Sequence, residues 1–149
     1  MEAVIFIGIQ GSGKSTFFKQ RFVDTHIRLN LDMLRTRFRE NLLFEACLQA
    51  KQKFVVDNTN LTRVERERYI VRAKIYGFKV AGFYFQTNLA KAIARNNQRE
   101  GKAKIPEKAI LAAYNRLQLP GFDEGFDELI YVSNDDANGF AVAAWKNEI

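Results

Sequence analysis

The sequence predicts an α/β fold in which five parallel strands form one sheet flanked by helices. Short, continuously apolar segments, typical of strands buried on both faces, alternate with longer segments of helical periodicity. Chains that alternate in this way form parallel sheets with right-handed crossovers. The length of 149 residues fits a single domain over residues 1–149.

The predicted strands are the most apolar short segments of the chain. They cover residues 3–8, 27–30, 54–57, 78–85 and 129–132. Near the end of the chain, the pattern of residues 140–145 fits either an edge strand or a short helix.

Helices are predicted between and after these strands, over residues 14–24, 32–51, 62–76, 89–100 and 106–119. In the second of them, four apolar residues recur on one side and indicate an apolar face: Leu34, Phe38, Leu42 and Ala46. Thr62 and Glu65 have the spacing of a capping box at the start of the third helix.

The composition excludes several classes of protein. With 47% hydrophobic and 27% charged residues, the chain is neither disordered, collagen-like nor a coiled coil. No apolar run approaches the ~20 residues of a membrane span. Cys47 and His26 are the only residues of their kinds, which excludes a disulfide framework and Cys- or His-rich metal sites. We therefore expect a cytoplasmic protein without a membrane partner.

The charge is distributed unevenly along the chain. The formal net charge is +6, but residues 61–104 contain 11 basic and three acidic side chains, and residues 120–149 one basic and seven acidic. A basic middle segment favours a polyanionic partner such as nucleic acid or nucleotide phosphates. A solvated basic helix surface is the alternative, and composition does not decide between them.

Residues 8–15, GIQGSGKS, match the phosphate-binding P-loop motif at every fixed position, between the first predicted strand and the first helix. Its glycines let backbone N–H groups approach phosphate oxygens, and the helix that follows adds a favourable dipole. Lys14 is predicted to contact the β- and γ-phosphates of ATP, and Ser15 to bind Mg²⁺. The predicted nucleotide-binding residues are Gly11, Ser12, Gly13, Lys14, Ser15 and Thr16.

Two carboxylates follow the second and third strands, whose carboxyl ends open on the same crevice in a parallel sheet. Asp32 is a candidate general base that would accept the proton of an attacking hydroxyl. Arg35 would bind a phosphate of the acceptor. The alternative is that Asp32 only caps its helix and pairs with Arg35. Asp57 lies where P-loop enzymes keep an acidic residue near the metal, or else forms an Asx turn.

The segment around residues 95–106 is predicted to be a small helical lid. Arg95 and Arg99 are four residues apart, so on a helix they would share one face and point at one phosphate cluster. Lys102 and Lys104 keep the following segment basic, and a proline restarts a helix at position 106. A solvated basic helix end is the alternative.

Together these segments resemble the kinase domain of the 5′-hydroxyl polynucleotide kinases, found in phage and in nucleic-acid end-repair enzymes. The resemblance is carried by GIQGSGKS (8–15), the D-x-x-R of Asp32 and Arg35, VVDNTN (55–60), and RNNQR (95–99) followed by KAKIP (102–106). It implies a P-loop kinase fold, with ATP and Mg²⁺ as cofactors and transfer of the γ-phosphate to a 5′-OH end of DNA or RNA. It further implies that Asp32 is the general base and that Arg35 and Asp57 serve the acceptor. Arg95 and Arg99 would contact ATP phosphates.

Two other functions stay open at this point. One is a P-loop kinase that acts on a small molecule, and the other is a binding switch that depends on a nucleoside triphosphate but not on catalysis. Many proteins of the resembled family join this domain to a phosphatase or ligase, for which 149 residues leave no room. The resemblance therefore implies a stand-alone kinase, or one whose partner activity lies on another chain. The preference between DNA and RNA and the oligomeric state are not predicted.

Overall fold

The computed structural model describes residues 1–86, 88–101, 104–135 and 139–146, and within them a single sheet lies between helices. The strands are β1 (Glu2–Ile7), β2 (Ile27–Leu29), β3 (Phe54–Val56), β4 (Lys79–Phe85), β5 (Glu128–Asp135) and β6 (Gly139–Ala144). The helices are α1 (Lys14–Arg21), α2 (Leu31–Leu34), α3 (Arg37–Ala50), α4 (Arg63–Ile75), α5 (Leu89–Asn97) and α6 (Glu107–Arg116). None of the helices in these ranges is long and apolar enough to cross a membrane.

The sheet has the strand order β2-β3-β1-β4-β5-β6. The first five strands are parallel, as predicted, and β6 pairs with β5 in the antiparallel direction. The open alternative at residues 140–145 is therefore settled in favour of an edge strand. Because the chain extends first to one side of β1 and later to the other, a ligand crevice is expected at the carboxyl end of β1.

The core occupies both faces of the central strand β1, whose side chains alternate between them. On one face, the ring of Phe6 contacts four others at centroid distances of 4.9 to 6.0 Å: Phe17, Phe22, Phe83 and Phe85. On the other face, Ile5 and Ile7 belong to a second buried cluster with Phe54 and Tyr69. This packing on both faces explains why β1 is continuously apolar.

The prediction of one helix over residues 32–51 was wrong, because α2 ends at Leu34 and the next residue, Arg35, has a φ of 77°, which is incompatible with a helix. Thr36 then caps α3 by accepting a hydrogen bond from the Arg39 N–H. The predicted apolar face is also wrong: Phe38, Leu42 and Ala46 share a side of α3, but it is the exposed side. Phe38 is 71% exposed and Leu42 57%, whereas the buried residues of α3 are Glu40, Phe44, Cys47 and Leu48.

Candidate active site

The loop after β1 surrounds a buried lysine. Gly11 and Gly13 have φ values of 79° and 96°, which residues with a Cβ rarely adopt. The Nζ of Lys14 donates hydrogen bonds to the carbonyls of Gly8 (2.9 Å) and Ile9 (2.8 Å). Burial lowers the pKa of Lys14 to about 8, opposed by the charge of Asp57 and, more weakly, of Asp32.

A cavity of about 290 Å³ lies at the carboxyl ends of β1, β2 and β3. It brings together eight of the predicted site residues: Gly11, Gly13, Lys14, Ser15, Thr16, Asp32, Asp57 and Arg99. Three others do not line it, namely Ser12, Arg35 and Arg95. Ser12 is buried, and its hydroxyl lies 3.4 Å from the Lys14 Nζ.

The side chain of Asp57 forms an ion pair with Arg28 rather than an Asx turn. Its carboxylate accepts a hydrogen bond of 2.7 Å from Nε of Arg28, and the same guanidinium donates to the Ser15 hydroxyl at 2.8 Å. The Ser15 Oγ lies 3.5 Å from the Asp57 Oδ2. A hydroxyl beside a buried carboxylate is the kind of oxygen donor set that Mg²⁺ prefers, so these two residues fit a magnesium site.

Asp32 lies in the first turn of α2 but does not cap it. The cap is Asn30, whose side-chain oxygen accepts from the Met33 N–H at 2.9 Å. The amide nitrogen of Asn30 donates to the carbonyl of Asp57 at 2.5 Å. The capping alternative for Asp32 is therefore wrong, and its exposed carboxylate lines the cavity.

The two arginines of the predicted lid do not share a helical face, because α5 ends at Asn97 and Arg99 lies beyond it. Arg95 donates to the Gly11 carbonyl at 2.7 Å, so it contacts the P-loop backbone. Arg99 lines the cavity, and its charge helps to lower the pKa of Lys14. Beyond them, Ile105 N–H donates to Asn96 Oδ1 at 2.7 Å, and Lys102 lies outside the described residues.

Several residues of the cavity were not assigned from the sequence. Asn58 and Thr59 line it, although only Asp57 of the VVDNTN segment received a role. Gln10 also lines it, and its Oε1 is buried without a hydrogen-bond partner among the described residues. Arg28 does not line the cavity but binds Asp57 and Ser15, which do; it had no sequence signal, since it is one charged residue on a short edge strand.

Comparison with known proteins agrees with the motifs. Residues 4–120 match a family described as an AAA domain. The Schizosaccharomyces pombe protein named bifunctional polynucleotide phosphatase/kinase is 28% identical over 131 residues, or 84% of this chain and 32% of that protein. The chain spans about a third of the length of the curated relatives it matches. The resemblance inferred from the motifs is thereby confirmed.

Solved structures share the fold at low sequence identity. Kti12 of Chaetomium thermophilum in complex with ADP-AlF3 has a TM-score of 0.67 at 14% identity, over 91% of this chain and 92% of that one. A sugar kinase from Janibacter sp. HTCC2649 has a TM-score of 0.65 at 18% identity, over 89% and 85%. The fold is that of the P-loop kinases, and the match over residues 4–120 shows that the chain belongs to the AAA domain family.

Proposed function

We propose that the protein is an ATP-dependent kinase that phosphorylates the 5′-hydroxyl ends of polynucleotides. One observation carries this proposal: a P-loop lysine, a carboxylate on a separate element and an arginine beyond α5 line the same cavity. Phosphoryl transfer needs a group that holds the phosphates, a base for the acceptor and cations for the developing charge. Lys14, Asp32 and Arg99 supply these three functions.

The proposed reaction is an in-line displacement at the γ-phosphorus of ATP. The 5′-OH oxygen of the acceptor forms the new bond to phosphorus while the bond from phosphorus to the β,γ-bridging oxygen breaks and ADP leaves. Asp32 accepts the hydroxyl proton. Lys14 and Arg99 stabilise negative charge on the transferred group. Ser15 and Asp57 would hold Mg²⁺, which would supply positive charge to offset that of the ATP phosphates.

The support for a polynucleotide acceptor comes from the relatives and from charge. The fission yeast relative is named a polynucleotide phosphatase/kinase, and residues 61–104 contain 11 basic side chains against three acidic ones. Arg35 is exposed at the end of α2, three residues from Asp32. We propose that it binds the phosphate next to the acceptor hydroxyl, and that Asp57 supports the acceptor side.

The experiment is phosphate transfer from γ-labelled ATP to a panel of acceptors: 5′-OH DNA, 5′-OH RNA, mononucleotides and sugars. We expect label on the oligonucleotide ends, and labelling that is slower by ~10²–10⁴ with Asp32→Asn. Arg35→Ala should raise the half-saturating concentration of the oligonucleotide far more than that of ATP. Binding of the acceptor should weaken as the salt concentration rises, because contacts to phosphates depend on salt. Label only on sugars or mononucleotides would overturn the polynucleotide assignment, and hydrolysis without transfer would indicate a switch.

A further inference from the structure

A buried carboxylate outside the cavity has no role in the reaction described above. Glu40 on α3 is fully buried, with a relative exposure of 0%. Its Oε1 accepts hydrogen bonds from the Tyr69 hydroxyl (2.6 Å) and from Arg37 (2.9 Å), and its Oε2 accepts one from the side-chain amide of Asn58 (2.9 Å). Burying a carboxylate is costly unless its oxygens are satisfied, so this arrangement is worth explaining.

The amide of Asn58 connects Glu40 to the helix that carries Asp32. While its Nδ2 donates to Glu40, its Oδ1 accepts from the backbone N–H of Leu31 at 2.9 Å. Leu31 begins α2 and directly precedes Asp32. A helix of four residues has little stability of its own, so its position depends on such tertiary contacts.

We infer that Glu40 is a positioning residue, which fixes the orientation of the Asn58 amide and through it places α2 and Asp32 at the cavity. The kinetic consequence rests on the proposed function, in which Asp32 is the base. Glu40 itself touches no reactant.

The polarity of the three groups explains why a carboxylate is required. Tyr69, Arg37 and Asn58 all donate to Glu40, so both of its oxygens must accept. A glutamine has one accepting oxygen and one donating NH₂ group. Directed toward Asn58, its NH₂ group would face the donating amide of Asn58. Directed toward Tyr69 and Arg37, it would face the Arg37 guanidinium, which only donates, and only the Tyr69 hydroxyl could accept. If the Asn58 amide turned over to accept from the NH₂ group of the glutamine, the NH₂ group of Asn58 would then face the Leu31 N–H.

The first test measures hydrogen exchange of the Leu31 backbone amide by NMR in the nucleotide-free protein. We expect Glu40→Gln to accelerate this exchange about tenfold, because the acceptor of the Leu31 N–H is no longer held. Tyr69→Phe is the matched control, since it removes one hydrogen bond from the opposite oxygen of Glu40 and leaves the Asn58 contact in place. It should change Leu31 exchange less than twofold.

The second test is kinetic and uses whichever acceptor the wild-type protein phosphorylates. Glu40→Gln should lower kcat about tenfold, with half-saturation by ATP unchanged, while Tyr69→Phe leaves kcat close to wild type. Combining Glu40→Gln with Asn58→Ala should lower kcat no further than Asn58→Ala alone, because both changes break the same connection. Additive losses would overturn the inference.

These readouts separate the inference from the proposed function. If no polynucleotide is phosphorylated but Leu31 exchange responds as expected, the function fails and the positioning role stands. Unchanged Leu31 exchange in Glu40→Gln, or equal acceleration in Tyr69→Phe, would overturn the positioning role. If Glu40→Gln does not fold, Asn58→Ala provides the same exchange measurement from the other end of the connection, with acceleration expected and its absence contradicting the inference.

Discussion

The two walls of the cavity are held in place by different kinds of contact. The loop wall, residues 8–16, is fixed mainly by contacts within itself, namely left-handed glycines and carbonyls that accept from the buried Lys14, with added hydrogen bonds from Arg95 to Gly11 and from Gly8 to Thr59. The clamp wall, residues 30–32 and 57–59, is fixed by side chains that reach across the fold, such as Asn30 to the Asp57 carbonyl and Asn58 to Leu31. A phosphate site can thus be specified locally, whereas the site of the second reactant depends on tertiary contacts.

The largest expected effect lies on the clamp wall. Asp32→Asn should lower kcat by ~10²–10⁴, because the acceptor hydroxyl loses its base. Half-saturation by ATP should change little, since the loop wall keeps its contacts. Steady-state kinetics with each substrate varied in turn measure both quantities. A wild-type rate in this variant would show that Asp32 is not the base.

The next effect separates the two arginines near α5. Arg99→Ala should lower kcat about 100-fold, because a cation facing the transferred phosphate is lost. Arg95→Ala should act mainly on half-saturation by ATP, since Arg95 contacts the Gly11 carbonyl in the loop wall. Lysine should rescue Arg99 poorly, because it lacks the planar guanidinium fork. A variant with both changes and an undiminished rate would mean that this segment is only surface.

Arg28 connects the two walls, and its removal should cost stability. Arg28→Ala leaves the Asp57 carboxylate, whose side chain is 1% exposed, without its ion-pair partner. We expect a loss of about 2 kcal/mol in the free energy of unfolding, less than for a fully buried pair because Arg28 is partly exposed and Lys14 remains nearby. Urea denaturation measures this loss. Saturating Mg²⁺ and ATP should restore more stability to this variant than to the wild type, and equal stabilisation would contradict the proposed magnesium site.

The smallest effect is a pH dependence of the loop wall. Lys14 has a pKa of about 8 in the folded protein, below the ordinary lysine value of 10.5, so the unfolded chain binds more protons between these pH values. The stability contributed by this group therefore rises with pH over that window. Relative to Lys14→Met, the wild type should gain about 1 kcal/mol between pH 8 and 9. A constant difference between the two proteins would contradict the lowered pKa of Lys14.

Prediction from the sequence succeeded where the signal was local. The five parallel strands follow from apolar segments such as that of β1, and the phosphate loop follows from spacing and glycine content. Prediction failed at Arg35, because periodicity over residues 32–51 carries no sign of a residue with positive φ. Prediction also failed at Phe38, which was predicted to lie on the apolar face but is exposed. Glu40, which is charged but buried, received no prediction.

The sequence by itself determined the β1–loop–α1 unit, because the residues that form it are neighbours in the chain and their types are dictated by backbone geometry and phosphate chemistry. Tertiary structure alone decided how α2 presents Asp32. That placement depends on hydrogen bonds between Asn30 and residue 57, between Asn58 and Leu31, and between Glu40 and Asn58. Hydrogen bonds between residues 18 to 27 positions apart produce no periodic pattern in the sequence, because each requires only one polar side chain at the right place in space.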